Sequence, residues 1–156
     1  MNSKRLFPLF FFFLVGCAAQ PKISQSQMEI QAYQSHEYET TKRIAFDSTM
    51  SVLQDAGFII ESADFETGFI TGKGTTTSRT APWFGATNEH TRMTAFVEQR
   101  TPTLARVRVN LVESSQRKSV WNETQDVINE VGVRDPRSYQ QLFEKIDQAV
   151  FIKKNL

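Results

Sequence analysis

Two runs in the middle of the chain leave few folds open to it. HTRMTAFVEQR (90–100) and LARVRVNLVES (104–114) alternate around the short link RTPT. In a strand, successive side chains point to opposite faces. Met93, Ala95 and Val97 therefore share one face, and Thr94, Phe96 and Glu98 the other. In the second run, Ala105, Val107, Val109 and Leu111 form an apolar face, and Arg106, Arg108 and Asn110 a polar one. One dry and one wet face is the pattern of an antiparallel sheet covered on one side. The chain must supply that cover.

Two segments have the period to do so. TTKRIAFDSTMSVLQDAGF (40–58) places Ala45, Phe46, Thr49, Met50, Leu53 and Ala56 at helical spacing. Thr40 or Thr41 is a fitting N-cap, and Gly57 stands where a C′ glycine ends a helix. Near the other end, Asp135 and Pro136 are a good N-cap and first helical residue. Tyr139, Leu142, Phe143, Ile146, Ala149 and Val150 follow on one face, and Lys153 and Lys154 complement the helix dipole in the last turn.

Between them, HEYETT (36–41) reads as a short first strand. FIIESAD (58–64) and FITGKGTT (69–76) read as a hairpin through DFETG. Gly72 and Gly74 mark a bulge or a close backbone approach. TSRTAPWFGATN (77–88) carries the Pro, Gly, Ser and Asn of a loop. Residues 120–133 fit either an interrupted strand or a loop with a short strand. The expected fold is α+β: a two-layer sandwich with an antiparallel sheet of about four to six strands and two amphipathic helices on one face. Its expected order is β-α-β-β-β-β-(β)-α.

The N-terminus points to export. Lys4 and Arg5 precede a ten-residue apolar run, Leu6–Val15, broken only by Pro8. A spanning helix needs about 20 apolar residues, so this run has the length of a signal-peptide core instead. Leu14-Val15-Gly16-Cys17 resembles the lipobox of bacterial lipoproteins. That resemblance implies cleavage before Cys17 and acylation of its thiol with diacylglycerol and palmitate-like chains. It also explains a lone cysteine in an exported chain, where disulfides would require an even number. More than one acyl chain gives a stable anchor. In that class an Asp after the cysteine favours the inner membrane, so Ala18 leans towards the outer one. The expected division is a signal peptide over 1–16, an acylated Cys17 with a tether to residue 35, and one globular domain over 36–156. The tether is rich in Gln, Ser and Ala, with order expected near Met28–Tyr33.

Without residues 1–16 the chain keeps 16 Lys+Arg against 17 Asp+Glu, a formal charge of −1. That balance argues against a nucleic-acid partner. About 140 residues suffice for one core without disulfide or metal. Chemistry finds little purchase. GFITGKGT (68–75) has three residues where a phosphate loop needs four, and Gly74 replaces the hydroxyl that would hold magnesium. His36 and His90 lack a second His or Cys at ligand spacing, so no metal is expected. No serine sits in a nucleophile frame. Asp64 and Glu66 are turn carboxylates rather than an acid–base pair. Neither a cofactor nor an enzyme activity is expected.

Two surface features remain. Trp83 and Phe84 are adjacent in the loop, as a partner anchor or, the favoured reading, with one ring capping the sheet edge. Arg106 and Arg108, with Arg92 across the hairpin, could form a basic stripe on the open face; a solvated strand face is the simpler account.

VLQDAGFIIESADFETGFITGKG (52–74) and DPRSYQQLFEKIDQAVFIKK (135–154) resemble a group of small bacterial envelope lipoproteins. Its pattern joins a helix ending LQDxGF, a hairpin ADxxxGxIxG and a closing helix DPxxYxxxFxKIxxAxF. The element order is also similar to the helix-grip domains of BamC, a lipoprotein of outer-membrane barrel assembly. The expected role is a non-catalytic one at the outer membrane, binding an unidentified envelope protein through the aromatic loop or the open sheet face; the resemblance itself implies a small lipid-anchored envelope domain. It supplies no catalytic residues. A small-ligand or lipid carrier, with its pocket between helix and sheet, is the alternative.

Overall fold

The computed structural model describes residues 26–81, 85–118 and 127–156. The chain runs α1 (Gln27–Tyr33), β1 (Ser35–Tyr38), α2 (Lys42–Asp55), β2 (Ile59–Asp64), β3 (Phe69–Lys73), β4 (Thr77–Ala81), β5 (Gly85–Thr101), β6 (Leu104–Lys118), β7 (Val127–Gly132) and α3 (Pro136–Lys154). All strand pairs are antiparallel, in one sheet. The α+β two-layer architecture is as expected. The strand count is not: the sheet has seven strands rather than four to six.

The difference lies in β5 and β6. At 17 and 15 residues they are far longer than an ordinary strand of about 5–6 residues. Each has room for two neighbours end to end on its outer edge. β3 and then β4 line β5, while β1 and then β7 line β6. The segment 77–88, expected to be a loop, instead forms β4 and the start of β5; residues 82–84 between them lie outside the described residues. Its Ser, Gly and Asn content hid a hairpin whose pairing is set by long-range register rather than by local propensity. The ambiguous 120–133 segment contains β7.

α2 and α3 pack on each other and on the lower half of the sheet. Met93, Ala95, Val97, Ala105, Val107, Val109 and Leu111 are buried beneath them, as the alternation requires. α2 contributes Ala45, Phe46, Val52 and Leu53, with Ser48 and Thr49 also fully enclosed. Ala56, assigned to this face from its spacing, is exposed because it is the C-cap, where the chain has left the helix. α3 contributes Tyr139, Leu142, Phe143, Ile146 and Val150. Each such burial is worth about 1.5–3 kcal/mol, more than any cap or dipole contact, so the apolar faces decide where the helices lie. Thr41 and Asp135 are the N-caps, accepting from the backbone N–H of Ile44 and Arg137. Gly57 adopts φ +86° after α2. The helix–sheet interface is filled by these side chains. The grooves found beside it lie at its margins, one of about 780 Å³ by Ile44 and Leu104 and one of about 170 Å³ by Phe58 and Leu142.

The structure also has a third helix. α1 lies in the segment assigned to the tether, where only Met28–Tyr33 was expected to order. Ser26 and Glu29 form a reciprocal capping box, with Glu29 N–H donating to Ser26 Oγ at 3.2 Å and Ser26 N–H to the Glu29 carboxylate at 2.9 Å. The Tyr33 ring packs 5.2 Å from Tyr139. Within the segment expected as a tether, Gln27–Tyr33 is thus helical and packed on α3.

The β2–β3 hairpin is tied to α2. Asp64 accepts from the Glu66 N–H (2.9 Å) and the Thr67 hydroxyl (2.8 Å). Lys42 Nζ donates to the Glu66 carbonyl at 2.9 Å, and the Arg43 guanidinium lies 3.7 Å from the Phe65 ring centre. Phe65 meets Phe46 edge-on at 5.5 Å. The Thr67 hydroxyl, then the two backbone N–H groups and Lys42, hold the Asp64 carboxyl below its ordinary range against a smaller effect of desolvation. Because the folded value is depressed, its stabilisation is present above the unfolded value of about 3.9 and is lost as pH falls through the folded one. Asp64→Asn is expected to flatten the acid limb of stability below about pH 4, read as urea midpoint against pH. Parallel curves for the two proteins would contradict this.

Candidate protein-binding surface

Beyond Met93 and Leu111 the helices end but the sheet continues. The upper halves of β5 and β6, with β4 and β7 beside them, form a four-stranded arm whose outer strands pack chiefly on their in-sheet neighbours. Two gaps in the sheet edges are closed where the arm begins. On β6, the Val109 N–H donates to the Gln34 carbonyl at 2.9 Å, where β1 ends. The Leu111 N–H donates to Tyr139 Oη (3.2 Å), and the Leu111 carbonyl accepts from Val133 N–H (2.8 Å), where β7 takes over. Tyr139 Oη in turn donates to the Val133 carbonyl at 3.0 Å and accepts from Gln34 Nε2 at 3.3 Å. On β5, the Gly74 N–H donates to the Thr91 carbonyl at 2.7 Å between β3 and β4. Gly72 is a close approach, as expected: a Cβ there would lie 3.1 Å from the Ile59 carbonyl oxygen. The irregularity itself falls opposite, between Ile60 and Ser62.

On the helix-side face the arm carries a trough of about 450 Å³. Glu89 and Glu113 lie on its floor, flanked by Thr77 and Thr91 on one side and Ser115 and Asn129 on the other. Glu89 faces Ser115 and Glu113 faces Thr91, so the two carboxylates are diagonal neighbours. Neither has an ion-pair partner among the described residues. Arg79 and Arg117 are both in register with Thr87 at the outer end. Val131 (61% exposed) rims the trough, and Ile128 (60%) stands on the opposite face of β7. Sequence reasoning missed this surface because 77–88 read as a loop. The available signal was that Thr87, Glu89 and Thr91 continue the alternation of Met93, Ala95 and Val97 upstream.

The open face is not a basic stripe. Arg106 donates two bonds to Glu37 on β1 (2.7 and 3.1 Å) and lies 3.5 Å from Glu98, which also approaches Arg100. Arg92 faces Val112, four residues along β6 from Arg108, and pairs with Glu130 at 3.8 Å. Cross-strand acids cancel these charges, leaving Arg108 exposed beside Phe96. Exposed pairs of this kind contribute about 0–1 kcal/mol each, so they set the charge of the face more than its stability.

His36 and His90 are far apart in the sheet. His36 stacks on Phe143 and lies 3.5 Å from Asp147. His90 is held below the ordinary imidazole range by burial first, then by the charges of Lys73 and Arg92. Among the described residues no three His, Cys, Asp or Glu side chains converge as metal ligands. Trp83 and Phe84, and the lipobox residues Leu14, Val15, Gly16 and Cys17, lie outside the described residues. No helix among those described is long and apolar enough to cross a membrane.

Comparison with known proteins yields structural likeness alone. No known family profile matches the chain, and no characterised protein matches it by sequence. Among solved structures, it is similar to a TBP-like protein from Parabacteroides distasonis, with 10% identity and a TM-score of 0.39 over 74% of this chain and 90% of that one. It is likewise similar to a DUF4468 family protein from Bacteroides ovatus, with 15% identity and a TM-score of 0.34 over 76% of this chain and 79% of that one.

Proposed function

We propose that this chain is a lipid-anchored envelope protein, held at the outer membrane by acyl groups on Cys17, whose domain binds another envelope protein through the β arm. The lipobox Leu14-Val15-Gly16-Cys17 supports the anchor, and the likeness to envelope lipoproteins and to the BamC element order supports the setting. The observation that carries the binding role is the arm itself. It extends the sheet past its helical cover, and among the described residues Val131 is exposed at the rim of its trough and Ile128 on the opposite face. Val131 beside a trough lined by hydroxyl, amide and carboxylate groups gives that face the mixed polar and apolar character of a protein-binding surface. The filled helix–sheet interface favours this reading over a carrier with a central pocket.

The test places a photo-crosslinking residue at Glu113 in the trough or at Gln148 on the exposed flank of α3, in the native envelope. Adducts with another protein are expected from position 113 and not from 148; adducts from 148 alone would overturn the arm as the binding surface. In parallel, Cys17→Ala is expected to abolish palmitate labelling. A mutant that still labels would remove the anchor from the reading.

A further inference from the structure

Among the described residues β7 has a neighbour on one side only, and its outer edge differs from those of β2 and β4. Edges left open in native proteins are normally blunted by bulges, charges or proline. β2 has its irregularity at Glu61, and β4 carries Arg79 at its centre. β7, sequence VINEVG, pairs with β6 in unbroken register. Its one charge, Glu130, is turned towards Arg92 of its own sheet.

The hydrogen-bonding direction of this edge follows from β6. Val109 and Leu111 turn their N–H groups to the side of β1 and β7. By alternation so do Glu113, Ser115 and Arg117, which are in register with Val131, Asn129 and Val127. Ile128, Glu130 and Gly132 therefore point their N–H and C=O groups outward, away from the sheet.

We propose that this edge pairs antiparallel with β7 of a second copy of the chain, about a two-fold axis at Asn129. In this register Ile128 and Glu130 of the second copy exchange backbone bonds, and so do Glu130 and Ile128 of the second copy, satisfying outward groups on both strands. Asn129 faces Asn129 of the second copy, amide to amide. Val131, exposed in the single chain, comes into register with Val127 of the second copy. Shifting the centre to Glu130 would set two like charges opposite each other, which is unfavourable. Both registers pair five of the six residues of β7, and the one centred on Asn129 is self-complementary without opposing like charges.

The inference is independent of the envelope partner proposed above. In the register given, Asn129 forms a non-hydrogen-bonded pair, with Cα atoms roughly 4.5 Å apart, within disulfide reach. In cells making the whole chain, Asn129→Cys is expected to give a disulfide-linked homodimer on mild oxidation. Ser62→Cys, on the β2 edge, and the unaltered chain with its native Cys17 are expected to give none. Glu130→Pro removes an outward-facing N–H together with the exposed Arg92 ion pair, and should leave β6–β7 pairing intact. It is expected to weaken self-association of the purified protein by about tenfold or more in sedimentation, whereas Glu130→Ala, which keeps the N–H, leaves it within about twofold. Circular dichroism checks that both variants fold. A monomeric unaltered protein at high concentration, equal crosslinking at 62 and 129, or capture of a different protein by Cys at 129 would overturn the proposal. Adducts at Glu113 would survive that failure, so the two readings are separable.

Discussion

Gly68→Ala is expected to destabilise the domain by about 3–4 kcal/mol, enough to remove a large share of the stability of a chain this size. Two effects add at this position. Gly68 adopts φ +84°, which an L side chain tolerates poorly, and an ideal Cβ would lie 2.1 Å from the Val97 carbonyl oxygen. That oxygen is backbone and cannot rotate away. The Gly68 carbonyl also accepts the Val97 N–H at 2.8 Å, so the turn and the central strand cannot separate without losing a sheet bond. Gly57→Ala is the control. Its φ is +86°, yet no atom lies within 4 Å of the added methyl, so only conformational strain of about 1 kcal/mol is expected. Urea unfolding of both variants decides the matter. Equal losses would mean that the approach to Val97 relaxes at little cost.

Tyr139→Phe is expected to cost about 2–3 kcal/mol although it removes one atom. The hydroxyl uses its single donor on the Val133 carbonyl and both acceptor positions on Leu111 N–H and Gln34 Nε2. Tyr139 is fully buried and its bond from Leu111 N–H is buried with it, so that donor loses its partner away from water; Val133 and Gln34 are half-buried. The effect should be local as well as global. Hydrogen exchange is expected to speed up at Leu111 and along β7, because the hydroxyl closes the gap between β1 and β7. Tyr38→Phe offers a comparison: its buried hydroxyl makes one long bond, 3.4 Å to the Phe143 carbonyl, and about 1 kcal/mol or less is expected. If both variants lose the same stability, the bridging role of Tyr139 is wrong.

The lower half of the domain was legible because burial there imposes a period. Ala105, Val107, Val109 and Leu111 alternate since one face is covered, and Tyr139, Leu142, Phe143 and Ile146 repeat at helical spacing since they do the covering. Asp135, Gly57 and Gly68 were equally plain, because caps and turns demand particular residue types whatever lies beyond them. The arm was not legible for the converse reason. Its helix-side face is polar, so Thr87, Glu89 and Thr91 carry no hydrophobic signal, and Pro82 and Gly85 suggested an end to structure. That Glu37 and Glu98 would pair with Arg106 was not legible, because they come from two other strands.

Taken alone, the sequence settled which faces must be dry, where the two long helices begin, and that a two-layer α+β sandwich would result. It also carried the expectation of an anchor at Cys17, which rests on motif and not on packing. Tertiary structure decided the rest: that β5 and β6 run on past their helices, that β1 and β7 share one edge of β6 through Tyr139, and that Glu89 and Glu113 share a trough. Local chemistry fixes periodicity and caps because those depend on near neighbours. Which strand lies beside which is fixed by contacts between residues far apart in the chain, and no short stretch of sequence contains them.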